Sequence, residues 1–217
     1  MKKSAKTILL CSFLTLIGIS KSYSQDDKNR FILGAYGGYS LNSIGFDFVD
    51  YYVPGPSLGL NFSYKPGKHI AIQLGYEYNF FPMDYASLYA KDYYGTEYYL
   101  YRNYLGGDAN IHNVTLGGKF NFLSKHRVQP YLIINAGVSI ISRTAIVAED
   151  LFDDPIIFED QFSETDFTFG AGLGVDFLIG NRVSLFLQTK AQVINSIVFD
   201  DGAIGYMPVQ LGVNVRF

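Results

Sequence analysis

Five charged side chains stand alone in stretches that otherwise carry no charge. They are Glu77 in "QLGYEYNF", Lys119 in "TLGGKFNF", Asp176 in "GLGVDFLI", Lys190 in "FLQTKAQV" and Arg216 in "GVNVRF". Carboxylates and cations brought into one enclosed space can relay protons or gate an ion path. They can also simply pair and fill the space. Either use requires partners, because an unpaired charge taken out of water is strongly disfavoured.

Catalysis needs a nucleophile or base within reach of a partner. The chain has three histidines, His69, His112 and His126, and its one cysteine, Cys11, lies in the apolar start. His69 follows the short segment "PGK" and His126 lies within "LSKHR", and no serine motif accompanies His112-Asn113. No catalytic residue is expected. Acidic residues gather elsewhere: Asp47, Asp50, Asp84, Asp92, Glu97, Asp108, Asp200 and Asp201, with a dense run "EDLFDDPIIFEDQFSE" from Glu149 to Glu164. Hard cations want several oxygen ligands, but this spacing matches no EF-hand or calcium repeat. No metal site and no cofactor is expected.

A different kind of chemistry sits in "KDYYGTEYYLYRNY", Lys91 to Tyr104, with six tyrosines in fourteen residues. Tyr93, Tyr94, Tyr98, Tyr99, Tyr101 and Tyr104 combine large rigid contact area with a hydrogen-bonding tip, as recognition surfaces do. The same residues would equally suit a loop that packs on itself, or a hairpin around Gly95.

What positions these residues follows from the rest of the chain. Residues 1–24 read as a signal peptide: a basic start, the apolar run "TILLCSFLTLIGIS", and small residues at Ser22 and Ser24 before Gln25. Its removal takes four lysines and leaves 13 basic against 20 acidic residues, a net charge of −7. Such a balance argues against nucleic acid as a partner. Residues 25–217 then form one domain.

Within that domain the apolar period is two. In "MPVQLGVNVRF" Met207, Val209, Leu211, Val213, Val215 and Phe217 share one face. Eight such strands are expected at about 31–41, 57–65, 69–80, 110–122, 129–142, 167–177, 183–193 and 207–217. The polar face carries Gly, Ser, Asn, Thr and Gln rather than Lys and Glu, so it suits a crowded lumen and the apolar face suits lipid. Connections alternate short and long, which predicts short turns in the periplasm and long loops outside. Counting up from the turns, Glu77 and Lys190 fall at one height and Lys119 and Asp176 at another, lower one. Ion pairs filling a narrow barrel are the favoured reading.

The signal peptide, the alternating strands, "QPYLIINAGVSI", "FGAGLGVDFLIGNRVSLFLQ" and the terminal "LGVNVRF" resemble the bacterial outer-membrane β-barrel domain family. The OmpA transmembrane domain, OmpX and the PorT-like barrels of Bacteroidota are similar. The resemblance implies an eight-stranded antiparallel up-and-down transmembrane barrel, integral to the outer membrane, with both mature termini periplasmic. It also implies that Phe217, with Val213 and Val215, is read by the barrel-assembly machinery. Outer-membrane lipid and lipopolysaccharide are the expected surroundings, and the role is structural or in surface interaction through the loops. A PorT-like accessory role with a secretion-system partner is the alternative. A lipid A-modifying enzyme, similar to barrels that use an outer-rim histidine, is third.

Overall fold

The computed structural model describes residues 30–44, 46–87, 104–123, 126–149, 155–195 and 202–217. Eight strands close into one antiparallel barrel: β1 (Phe31–Ile44), β2 (Gly55–Tyr64), β3 (Ile70–Phe81), β5 (Ala109–Asn121), β6 (Val128–Arg143), β9 (Phe162–Leu178), β10 (Val183–Ile194) and β11 (Ile204–Arg216). Each pairs with the next wall strand in sequence, and β1 pairs with β11 to close the wall. At that seam Phe31 and Phe217 exchange backbone hydrogen bonds of 3.0 and 2.9 Å. Closure leaves no open edge around the wall, which is what a sheet needs to sit in hydrocarbon.

Burial follows the period-two pattern and settles which face is inside. Along β11 Met207, Val209, Leu211, Val213 and Val215 are exposed, while Gln210 and Asn214 are buried. Around the wall the exposed positions include Leu60, Leu74, Leu116, Ile134, Leu173 and Leu187, and the buried ones include Asn61, Glu77, Asn113, Asn135 and Gln188. Large apolar side chains outside and polar ones inside invert a soluble protein and fit a lipid solvent.

Glycine on the inner face makes room for rings. Tyr36 lies directly across from Gly59 on β2, and Tyr131 directly across from Gly174 on β9. A Cβ at either glycine would collide with the facing ring. Bulk and absence of bulk are thus paired across adjacent strands.

Three features exceed the sequence expectation. β6 and β9 run to 16 and 17 residues and remain paired up to Arg143–Phe162, so β9 begins five residues before the expected start at 167. Above the barrel, segments expected as loops form a second sheet of β4 (Tyr104–Gly106), β7 (Ile146–Glu149) and β8 (Pro155–Glu159), ordered β4-β7-β8. A short helix, α1 (Phe46–Tyr51), precedes β2. All of these lie at the long-loop end, opposite the short turns.

Candidate functional site

The lumen is built from inward-facing residues of every strand. Glu77 on β3 is its hub and is almost fully buried, at 2% exposure. Its Oε2 receives Lys190 Nζ at 2.7 Å and Gln210 Nε2 at 2.7 Å, with the Tyr36 hydroxyl at 3.4 Å. Its Oε1 receives Asn79 Nδ2 at 3.1 Å. Gln188 donates to Gln210 at 2.8 Å, and the Tyr131 hydroxyl donates to Gln188 at 3.0 Å. A carboxylate so supplied with donors is fixed in place and cannot turn freely.

Nearer the short turns, Lys119 Nζ lies 2.7 Å from Asp176 Oδ2 and 3.6 Å from the centre of the Tyr131 ring. Tyr131 therefore joins the two ion pairs: its ring faces the lower cation and its hydroxyl leads, through Gln188 and Gln210, to Glu77. Between them are two voids, each with about 10 Å³ of room for a water centre, enough for about one molecule apiece. Among the described residues, side chains fill the lumen around these two voids.

Arg216 joins neither pair. It faces the lumen in register with Ile32 and lies within electrostatic reach of Lys119, but its Nε is buried without a hydrogen-bond partner. It stands at the end of its strand, near the short-turn rim.

At the long-loop end the lumen turns apolar. Phe81, Ile111, Ile141, Ile194, Ile204 and Tyr206 face inward and are covered by Phe48 of α1 and by Tyr52. Phe48 meets Phe81 edge to face with centroids 4.9 Å apart. The Asn42 side chain holds α1 in place by donating to the carbonyls of Phe48, Val49 and Tyr52. Burial pushes the Tyr52 hydroxyl up to about 12, with Arg143 pulling the other way. Arg143 also binds Glu159 at 2.5 Å and lies 4.9 Å over the Phe162 ring. One guanidinium thus ties the first long connection to the third. This apolar seal is the part of the site that alternation alone does not reveal.

Tyr104 stands differently from its expected role. It is buried at 5% exposure with Met83, Ile146 and Ala148, beneath the β4-β7-β8 sheet, so its ring is packing and offers no contact surface. Tyr93, Tyr94, Tyr98, Tyr99 and Tyr101 lie outside the described residues, as do residues 1–24. The sheet's far face instead presents Leu105, Val147 and Ile157 in one cross-strand row, open at its two ends, with Leu105 59% and Ile157 63% exposed.

His112 and Asn113 point to opposite sides of the wall. His112 Nδ1 contacts the Tyr76 hydroxyl at 2.9 Å on the outer face, with the Tyr78 ring 5.0 Å away. Asn113 is in the lumen, where it donates to the Tyr206 hydroxyl at 2.6 Å. The two cannot act on one substrate, and His112 sits as an interface residue between tyrosines.

A closed eight-stranded wall with an apolar exterior and a plugged polar lumen defines a transmembrane β-barrel. Residues 9–217 match the outer membrane protein beta-barrel domain family, and the chain belongs to it. The protein is an integral outer-membrane barrel. No curated protein matches the sequence. Among solved structures, Neisserial surface protein A (NspA) is similar over 86% of this chain and 97% of its own, at 14% identity and a TM-score of 0.58. A major outer membrane protein from Thermus thermophilus is similar over 86% and 99%, at 10% identity and a TM-score of 0.52. At these identities the likeness is one of fold.

Proposed function

We propose that this protein is a non-enzymatic outer-membrane barrel that works as a surface-interaction platform through its long-loop cap. Short turns and both mature ends lie on the periplasmic side in this reading, and insertion uses the barrel-assembly machinery. The observation that carries it is the seal of Phe48 and Tyr52 over the barrel mouth, with a separate three-stranded sheet built above it. A sealed lumen weighs against a conduit. A folded cap with an apolar row, Leu105, Val147 and Ile157, exposed at both ends supports contact with a partner outside the membrane. The acidic segments beside it suit divalent cations bridging to lipopolysaccharide.

The test is made on intact cells. A small epitope inserted between Ser87 and Tyr104 should be reached by antibody without permeabilisation, and Leu105→Ser with Ile157→Ser should reduce capture of surface protein or glycan while leaving the barrel inserted. An epitope reached only after permeabilisation reverses the sidedness. Unchanged capture removes the platform.

A further inference from the structure

Charge is sorted along the barrel axis. Among the described residues, the long-loop end carries Asp50, Asp84, Asp108, Glu159 and Asp160, with Arg143 as the cation paired to Glu159. The short-turn end carries Arg30, Lys65, Lys68, Arg127, Arg182 and Arg216. The one acidic side chain described near that end, Asp176, is buried and already held by Lys119. Among the described residues the exposed charged side chains of the rim are therefore cations, Lys68, Arg127 and Arg182 among them.

The backbone fixes this arrangement. Arg216 N donates to the Arg182 carbonyl at 2.7 Å, which sets two guanidinium-bearing residues side by side where the β9–β10 turn meets the end of β11. Like charges on adjacent strands repel, and an anion between them reverses the sign.

Depth identifies the anion. Directly above the rim the lipid-facing rings of Phe31, Phe62, Tyr64 and Phe217 gather, with Phe31 5.8, 5.3 and 6.2 Å from the other three in turn. Phe120 and Phe177 are exposed at the same end of their strands. Aromatic girdles of this kind lie at the interface between hydrocarbon and headgroups. Cations one or two residues beyond a girdle are at the level of lipid phosphates.

We infer that the short-turn rim is a docking surface for anionic phospholipid headgroups of the leaflet it faces, with Lys68, Arg127 and Arg182 as the contact residues. Zwitterionic headgroups bring a phosphate together with its own ammonium, so they gain less at a cationic rim. The effect orders the lipid shell and holds the barrel at a fixed depth.

The experiment uses the full barrel in vesicles of phosphatidylcholine with a minor share of phosphatidylglycerol, the same in both leaflets, so that sidedness does not enter. Spin-labelled versions of the two lipids report which one the protein retains at its surface. The wild type should retain the anionic lipid roughly two- to fivefold over the zwitterionic one, the scale expected of a cation at a charged surface. The preference should approach parity in Lys68→Gln/Arg127→Gln/Arg182→Gln, and also for the wild type in about 1 M salt, where the screening length is about 3 Å. Heat-modifiable gel mobility checks that the variant is folded, and the salt series stands without it. Equal retention of both lipids by the wild type overturns the inference. A preference that survives the triple substitution, or high salt, does so as well.

Discussion

Glu77 and Lys190 meet at 2.7 Å although their strands, β3 and β10, stand on opposite sides of the wall. Their ion pair is a strut across the diameter of the barrel. Each partner is nearly excluded from solvent, so removing one leaves the other charged and enclosed. Glu77→Ala should cost about 3–5 kcal/mol, whereas Glu77→Leu with Lys190→Met should cost much less than either single loss. Urea titration of the folded band on gels measures both. Single substitutions no costlier than the double would show that the pair is not the strut described.

This strut crosses the lumen, the Lys119–Asp176 pair fills it along the β5–β6–β9 side, and Phe48 and Tyr52 cover its long-loop end. The purified protein should therefore show little or no conductance in planar bilayers. Phe48→Ala with Tyr52→Ala should open the mouth but leave the ion pairs, so conductance should stay low. Large stable channels from the wild type would contradict the plug.

How much of this could be read in the sequence depended on length and repetition. The eight wall strands were legible because inward and outward residues alternate for ten or more positions, and the Glu77–Lys190 and Lys119–Asp176 pairs because heights can be counted from short turns. β4, β7 and β8 were not legible, since three to five residues are too few to show a period. The seal was hidden for another reason: Ile111, Ile141, Ile194 and Ile204 are apolar residues at inward positions, and only the fold shows Phe48 and Tyr52 covering them. Tyr104 misled because composition made it one of six tyrosines, whereas its strand turns it inward. Arg216 shared the lumen-facing period but not the height of a carboxylate.

Phe217 closes the seam with Phe31, and the proposed role as an insertion signal separates from that one by substitution. Phe217→Ala keeps the backbone bonds to Phe31 but removes the ring. Outer-membrane levels of Phe217→Ala should fall sharply while any protein that inserts keeps normal heat-modifiable mobility. Normal levels would show that the ring is not read during assembly, and inserted but unstable protein would assign its role to the seam instead.

The tyrosines divide the same way. Replacing Tyr94, Tyr98 and Tyr101 with serine should leave the barrel intact, because wall pairing and lipid-facing side chains lie in other segments. Capture of a surface partner should fall, since an aromatic anchor at an interface can contribute about 2 kcal/mol or more. Tyr104→Ser should act differently. It removes a buried ring from the cluster of Met83, Ile146 and Ala148, a loss of roughly 3–5 kcal/mol of local packing by analogy with other large aromatic truncations. The β4-β7-β8 sheet should then become sensitive to protease while the wall stays folded. Limited proteolysis and partner capture on both variants distinguish the outcomes. If the triple variant keeps full capture, these tyrosines are not a recognition surface, and if Tyr104→Ser leaves the cap resistant, its burial does not hold the sheet to the barrel.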